Sequence, residues 1–229
     1  PDDYSAIASW ANRNDWNLAN VHDPSVAYYN GYYYMYATDA SYGNAHEGHG
    51  HFQGKRSKDL VNWDWVGGPF YNPPSWVADS LNAIRTRMGL PVIAGDKIQY
   101  GYWAPVVRRV NVGGQEILRM YYSIVIFNYI KTGNLSSSPF DGSWTERSFI
   151  GMCESTDPAG AVWTDKGFVT TSSSDRGKNF SRASTNDWSA YFYYNAIDPT
   201  YIVTPEGKHY LIHGSWHSGF ALLQVDATT

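Results

Sequence analysis

The 229-residue sequence has a single cysteine, Cys153, so no disulfide can form within the chain and a thiolate-ligated metal centre is not expected. Charge is scarce as well. Charged residues make up 17% of the chain, and the net charge of −4 has no basic run behind it, which argues against nucleic acid as a partner. Long hydrophobic runs are missing. The longest, from Met120 to about Ile130, falls short of the roughly 20 residues that a membrane-spanning helix needs, so no membrane partner is expected. No signal peptide is visible, and the opening Pro1-Asp2-Asp3 reads as a processed or an artificial terminus. Helical periodicity is nearly absent. Trp76 to Met88 is the one stretch that could be helical, with Asp79 or Ser80 available as a cap. No polar linker interrupts the chain, so residues 1–229 read as one unit.

Aromatic residues are what the chain has in excess: 17%, including 10 Trp and 19 Tyr. Such surface suits a β-rich core, a sugar-stacking face, or both. Short β-type runs separated by Gly, Pro, Asn and Asp fill the sequence, and several belong to a repeated phrase. One copy runs Asp23-Pro24-Ser25-Val26, then Asn30-Gly31, then Tyr32 to Tyr36. Another runs Asp198-Pro199-Thr200-Tyr201, then Pro205-Glu206-Gly207, then His209 to His213. A weaker middle copy starts at Ala104-Pro105, turns at Gly113-Gly114, and continues from Ile117 to Ser123. Glycine-containing turns between apolar strands are hairpin chemistry. Outer-strand signals containing tryptophan follow at Ser57 to Trp63 and Ala161 to Gly167. A repeat of this kind is expected of propeller blades, with a jelly roll or sandwich as the alternative. Two blades and the inner hairpin of a third are visible, from about Asp23 to Gly68, from about Pro105 to Val169, and from Asp198 on.

Asp23 and Asp198 open equivalent phrases, so in a propeller both stand at the same end of the axial channel. Two carboxyl groups flanking one bond are the equipment of a glycosidase, one acting as acid and the other as base or nucleophile. An isolated Asp-Pro usually only starts a turn, and Asp157-Pro158 is read that way.

The ordered set of motifs resembles glycoside hydrolase family 43, and within it the endo-α-1,5-L-arabinanases. It comprises Val21-His22-Asp23-Pro24-Ser25-Val26, Ser57 to Trp63, Tyr102-Trp103-Ala104-Pro105, Tyr121-Tyr122-Ser123 with Phe127, Asn195-Ala196-Ile197-Asp198-Pro199-Thr200, and Tyr210 to Trp216. The resemblance implies an all-β fold, a five-bladed β-propeller of which this chain supplies about the first two and a half blades as an incomplete catalytic domain. It also implies inverting hydrolysis of α-1,5-linked L-arabinan, endo-acting in the sense of cutting within the chain. Asp23 then matches the general base, and Asp198 the carboxylate that orients the acid and adjusts its pKa. Trp103 and Phe127 match aromatic sugar platforms, while Asn195 and Ser215 match polar sugar contacts. The alternatives are an exo-acting α-L-arabinofuranosidase or β-xylosidase on the same fold, and a non-catalytic arabinan-binding propeller.

Two departures from the family pattern stand out. Val106 replaces an acidic residue, and the family's glutamate acid falls on a blade beyond Thr229. A second polypeptide fragment or a longer parent chain is therefore expected to complete the propeller and supply that acid. Of the glutamates present, Glu116 and Glu206 are expected in turns, Glu146 and Glu154 in outer strands, and Glu47 in a rim loop. The cluster His46-Glu47-Gly48-His49-Gly50-His51 lacks zinc-protease spacing and is read as a rim loop, with a substrate contact from His49 or His51 as the second reading. No metal ligand is assigned and no cofactor is required. A structural calcium in the axial channel, common in the family, would draw its ligands mostly from outside this chain. The expected location is secreted or periplasmic.

Overall fold

In a sheet stacked between two others, both faces of every strand must be apolar. Strand β6 (Gln115–Ile126) obeys this rule. Leu118, Met120, Tyr122, Ile124 and Ile126 enter one core, while Ile117 and Tyr121 enter a second on the opposite face. The apolar run beginning at Met120 is thus a strand buried on both sides. Alternation also governs β2 (Tyr32–Thr38), where Tyr32, Tyr34 and Tyr36 share the first core.

The computed structural model describes residue 3 and residues 5–16, 20–39, 49–129, 146–173, 194–214 and 219–226. Its strands form three antiparallel sheets, each in sequence order. The first contains β1 (His22–Tyr29), β2, β3 (Lys55–Ser57) and β4 (Asp64–Trp65). The second contains β5 (Tyr100–Val112), β6, β7 (Arg147–Asp157) and β8 (Val162–Thr171). The third contains β9 (Thr200–Val203), β10 (His209–His213) and β11 (Ala221–Val225). The leading strands lie side by side, β1 against β5 and β5 against β9. The architecture is a β-propeller, with two four-stranded blades and three strands of another.

The inner hairpins form where the turn residues require them. Asn30 and Gly31 have φ of 47° and 82°, and Gly113 and Gly114 have 59° and 88°. Two successive positive φ values match the right-handed twist of the flanking strands.

Two expectations are corrected. Ser57 to Trp63 is not an outer strand: Ser57 ends β3, and residues 58–63 connect it to β4. The Asp59 carboxylate accepts the N–H groups of Val61 and Asn62, and Ser57 Oγ accepts those of Asp59 and Leu60, which removes them from any ladder. The helix α1 (Ser75–Arg87) starts after Pro74 with no side-chain cap, and Asp79 and Ser80 lie inside it. The last strand, β11, pairs with β10 from Ala221 opposite His213 to Val225 opposite His209.

Several expectations hold. The helix lies within one residue of its expected start, and Val77 and Leu81 bury against the first core. Asp157 starts a turn, accepting the Gly160 N–H at 3.0 Å. Glu154 is structural, binding the fully buried Arg119 at 2.6 Å, and Lys166 lies 3.4 Å from its other oxygen.

Candidate active site

The Asp-Pro phrases acquire their geometry from a β-bulge. On β1, His22 pairs with Thr38 and Ser25 with Tyr36, so Asp23 and Pro24 together oppose Ala37 alone. On β5, Trp103 pairs with Ser123 and Val106 with Tyr121, so Ala104 and Pro105 oppose Tyr122. Before β9, the Gly214 N–H donates to the Ile197 carbonyl at 3.0 Å while Thr200 pairs with Ile212, which leaves Asp198 and Pro199 against His213. Proline suits a bulge because it has no N–H to give the ladder. The residue before it is left-handed in all three strands, with φ of 50° at Asp23, 37° at Ala104 and 52° at Asp198. Bulges of this kind re-aim a side chain, and aspartate tolerates positive φ better than most residues.

Hydrogen bonds tie blade one to blade two at this end. Thr38 Oγ1 donates to Asp23 Oδ2 at 2.6 Å and accepts the Ala104 N–H at 2.6 Å. Ser25 Oγ accepts the Val107 N–H at 2.9 Å, and the Asp39 N–H donates to the Tyr102 carbonyl at 2.9 Å. The Asp23 carboxylate is thereby fixed by a buried hydroxyl that is itself held by the neighbouring bulge.

The other expected residues gather at the same end. Trp103 leads into the β5 bulge, and Phe127 follows β6 directly. Their rings lie 5.9 Å apart at 58°. Gly101 lies between them: a Cβ there would meet Phe127 at 2.6 Å and the Trp103 indole nitrogen at 2.9 Å. Asn195 is buried, and its Oδ1 accepts the Ser172 hydroxyl at 2.7 Å. Ser172 Oγ also accepts the N–H groups of Ser148 and Ala196, each at 3.1 Å, joining blade two to the segment that leads to Asp198. His213 Nδ1 lies 3.0 Å from the Asn195 carbonyl. Ser215 and Glu47 lie outside the described residues, as does His46.

Glu146 immediately precedes the third strand of blade two at this end, and burial pushes its carboxyl pKa up to about 7. Val106 packs against the second core. Among the described residues, no three His, Cys, Asp or Glu side chains converge as a metal site would require.

Sequence reasoning missed Thr38 and Ser172. Thr38 could have been found by counting outward from the Asn30-Gly31 turn, because the hairpin register brings it opposite the bulge. Ser172 gave no such signal, since it meets Asn195 only through packing of different blades.

The chain is thus a β-propeller with aspartates at matching bulges and paired aromatic rings at one end of its blades. The model of glycosyl hydrolases family 43 matches residues 18–228, and the chain belongs to that family. Over 211 residues it is 23% identical to an extracellular endo-alpha-(1->5)-L-arabinanase of Thermotoga petrophila, covering 92% of this chain and 37% of that protein. Extracellular endo-alpha-(1->5)-L-arabinanase 1 of Bacillus subtilis is 28% identical over 176 residues, covering 76% of this chain and 38% of that protein. Among solved structures, the Cellvibrio cellulosa alpha-L-arabinanase in complex with arabinohexaose superposes with a TM-score of 0.54 at 23% identity, covering 90% of this chain and 48% of the other. The chain spans well under half the length of the curated relatives it matches.

Proposed function

We propose that the complete protein is a glycoside hydrolase that cuts α-1,5-linked L-arabinan internally and with inversion. The observation that carries this reading is the pair of aspartates on equivalent left-handed bulges, at the end where Trp103 and Phe127 approach each other. Asp23 acts as the general base on water, held in orientation by Thr38. Asp198 orients a glutamate acid and raises its pKa, since a neighbouring negative charge disfavours ionisation. Trp103 and Phe127 take the apolar faces of furanose rings, and Asn195 and Ser215 contact their hydroxyls.

The acid and the remaining blades come from sequence outside these 229 residues, on a second polypeptide fragment or a longer parent chain. Intact mass and gel analysis of active material tests this. Hydrolysis by the 229-residue chain alone would contradict it and turn attention to Glu47. A structural calcium, if present in the axial channel, takes most of its ligands from that added sequence. The protein acts outside the cytoplasm, secreted or periplasmic. The extracellular naming of its relatives supports this, and no described helix is long and apolar enough to cross a membrane.

Products from debranched arabinan test the activity. Mixed oligosaccharides support internal cutting, whereas arabinose alone indicates an exo-acting α-L-arabinofuranosidase. Release of xylose from xylo-oligosaccharides instead indicates a β-xylosidase. Inversion is read from the anomer first released, by proton NMR. Because the acid is assigned outside this chain, a non-catalytic arabinan-binding propeller is the second reading, and sugar binding without reducing-end release would support it.

A further inference from the structure

Blade one carries a second arrangement at the same end that the proposed reaction does not use. Asp39 follows Thr38 directly, and its carboxylate is split between two tasks. Oδ1 accepts the Phe52 N–H at 2.8 Å, and Oδ2 lies 2.5 Å from His51 Nδ1. The His51 ring stacks on Tyr102, with centroids 3.6 Å apart and planes at 7°. Tyr102 is buried and immediately precedes Trp103.

The backbone around His51 is bent to hold this pose. Gly50 has φ of 76° and Phe52 has φ of 65°, so His51 sits between two left-handed residues. For phenylalanine that conformation is strained, and the Asp39 bond to the Phe52 N–H helps offset it. The segment is pressed against its neighbour, with His51 N–H donating to Phe70 O and Gly68 N–H to His49 O, each at 2.6 Å. A Cβ on Gly68 would fall 1.6 Å from the His51 carbonyl oxygen. These features converge on one side chain, which stays 26% exposed. Its Nε2 makes no hydrogen bond to another described residue. His49 differs, lying edge-on against Trp65 at 4.9 Å on the β4 side.

We propose that His51, fixed by Asp39 and Tyr102, is a glycan-binding, specificity-determining residue whose Nε2 hydrogen-bonds a sugar hydroxyl beside the Trp103–Phe127 platform. The assignment rests on reading this end as the arabinan cleft. With Nδ1 oriented toward a carboxylate, Nε2 is the nitrogen left to engage a ligand. An imidazole stacked on a buried ring is already ordered, so little rotamer freedom is lost when sugar binds.

The test uses the complete protein, with Asp23→Asn added for binding measurements so that the sugar is not consumed, titrated calorimetrically with arabinohexaose and, separately, xylohexaose. His51→Phe keeps a ring over Tyr102 and removes the nitrogen. It is expected to weaken arabinohexaose binding about tenfold, the scale of one hydrogen bond, and to raise KM with kcat nearly unchanged. Binding equal to that of the protein that keeps His51 would overturn the proposal. The ¹⁵N shift of His51 Nε2 in the Asp23→Asn protein that keeps His51 gives an independent reading if the His51→Phe variant fails to fold. It should move on adding arabinohexaose, and a fixed shift at saturation would overturn the proposal. Should the protein that keeps His51 bind xylohexaose but not arabinohexaose, the arabinan reading fails while the same His51 measurements, made with xylohexaose, still decide this one. Binding of neither sugar overturns both.

Discussion

The bulges of blades one and two have the same backbone and different chemistry. Both oppose two residues to one, both put proline second, and both force positive φ on the first residue, 50° at Asp23 and 37° at Ala104. In blade one, the hydroxyl across the bulge, Thr38, donates to Asp23. Its counterpart in blade two is Ser123, opposite Trp103. Ala104 offers that hydroxyl no carboxylate, and Ser123 Oγ is buried without a hydrogen-bond partner among the described residues. The strained backbone is thus a property of the blade, and the side chain it aims is what separates a candidate catalytic position from a structural one. Left-handed φ alone would have marked Ala104 as a site.

The comparison is broken most severely at the aspartates. Asp23→Asn and Asp198→Asn should each lower kcat on arabinan about 10²–10⁴-fold, with oligosaccharide binding largely kept for Asp23→Asn. Asp198→Asn should also displace a limb of the pH–rate profile. Ala104→Gly should leave hydrolysis within about twofold, and near-normal rates in either aspartate variant would remove that residue from the site.

The two hydroxyls should respond with opposite signs. Thr38→Val strands the buried Ala104 N–H and releases Asp23, so urea unfolding should show a loss of about 1–3 kcal/mol together with slower turnover. Ser123→Ala removes a buried hydroxyl with no partner and should be neutral or stabilising by up to about 1 kcal/mol. Equal destabilisation in both would erase the distinction between the blades.

Much of the blade pattern is legible in sequence because it is local. Asn30-Gly31 and Gly113-Gly114 dictate their turns, and the tyrosines of β2 alternate onto one core. The Asp-Pro phrase marks the bulge because proline cannot serve the ladder. Local signals also misled. Ser57 to Trp63 has strand-like residues, yet Asp59 gathers its backbone N–H groups into a turn. The contacts of Ser172 with Asn195 and of Asp39 with His51 join segments whose adjacency only the folded blades create.

A subtler effect concerns a carboxylate outside the bulges. Burial raises Glu146 from its usual 4.5 to about 7, so the native state holds this proton more tightly than the unfolded chain. Its contribution to stability is therefore greatest below about pH 4.5 and declines as pH rises toward 7. Glu146→Gln should flatten that slope in thermal melts between pH 4.5 and 8, raise stability above pH 7, and leave hydrolysis in place. Abolished hydrolysis would shift the candidate chemistry away from the bulge aspartates.

The most direct measurement is a crystal structure of the complete protein carrying Asp23→Asn, bound to arabinohexaose. The account predicts a furanose ring against Trp103 and Phe127, with the scissile linkage between residue 23 and a glutamate oriented by Asp198. A sugar chain bound elsewhere, with both bulge positions remote from every glycosidic bond, would contradict it.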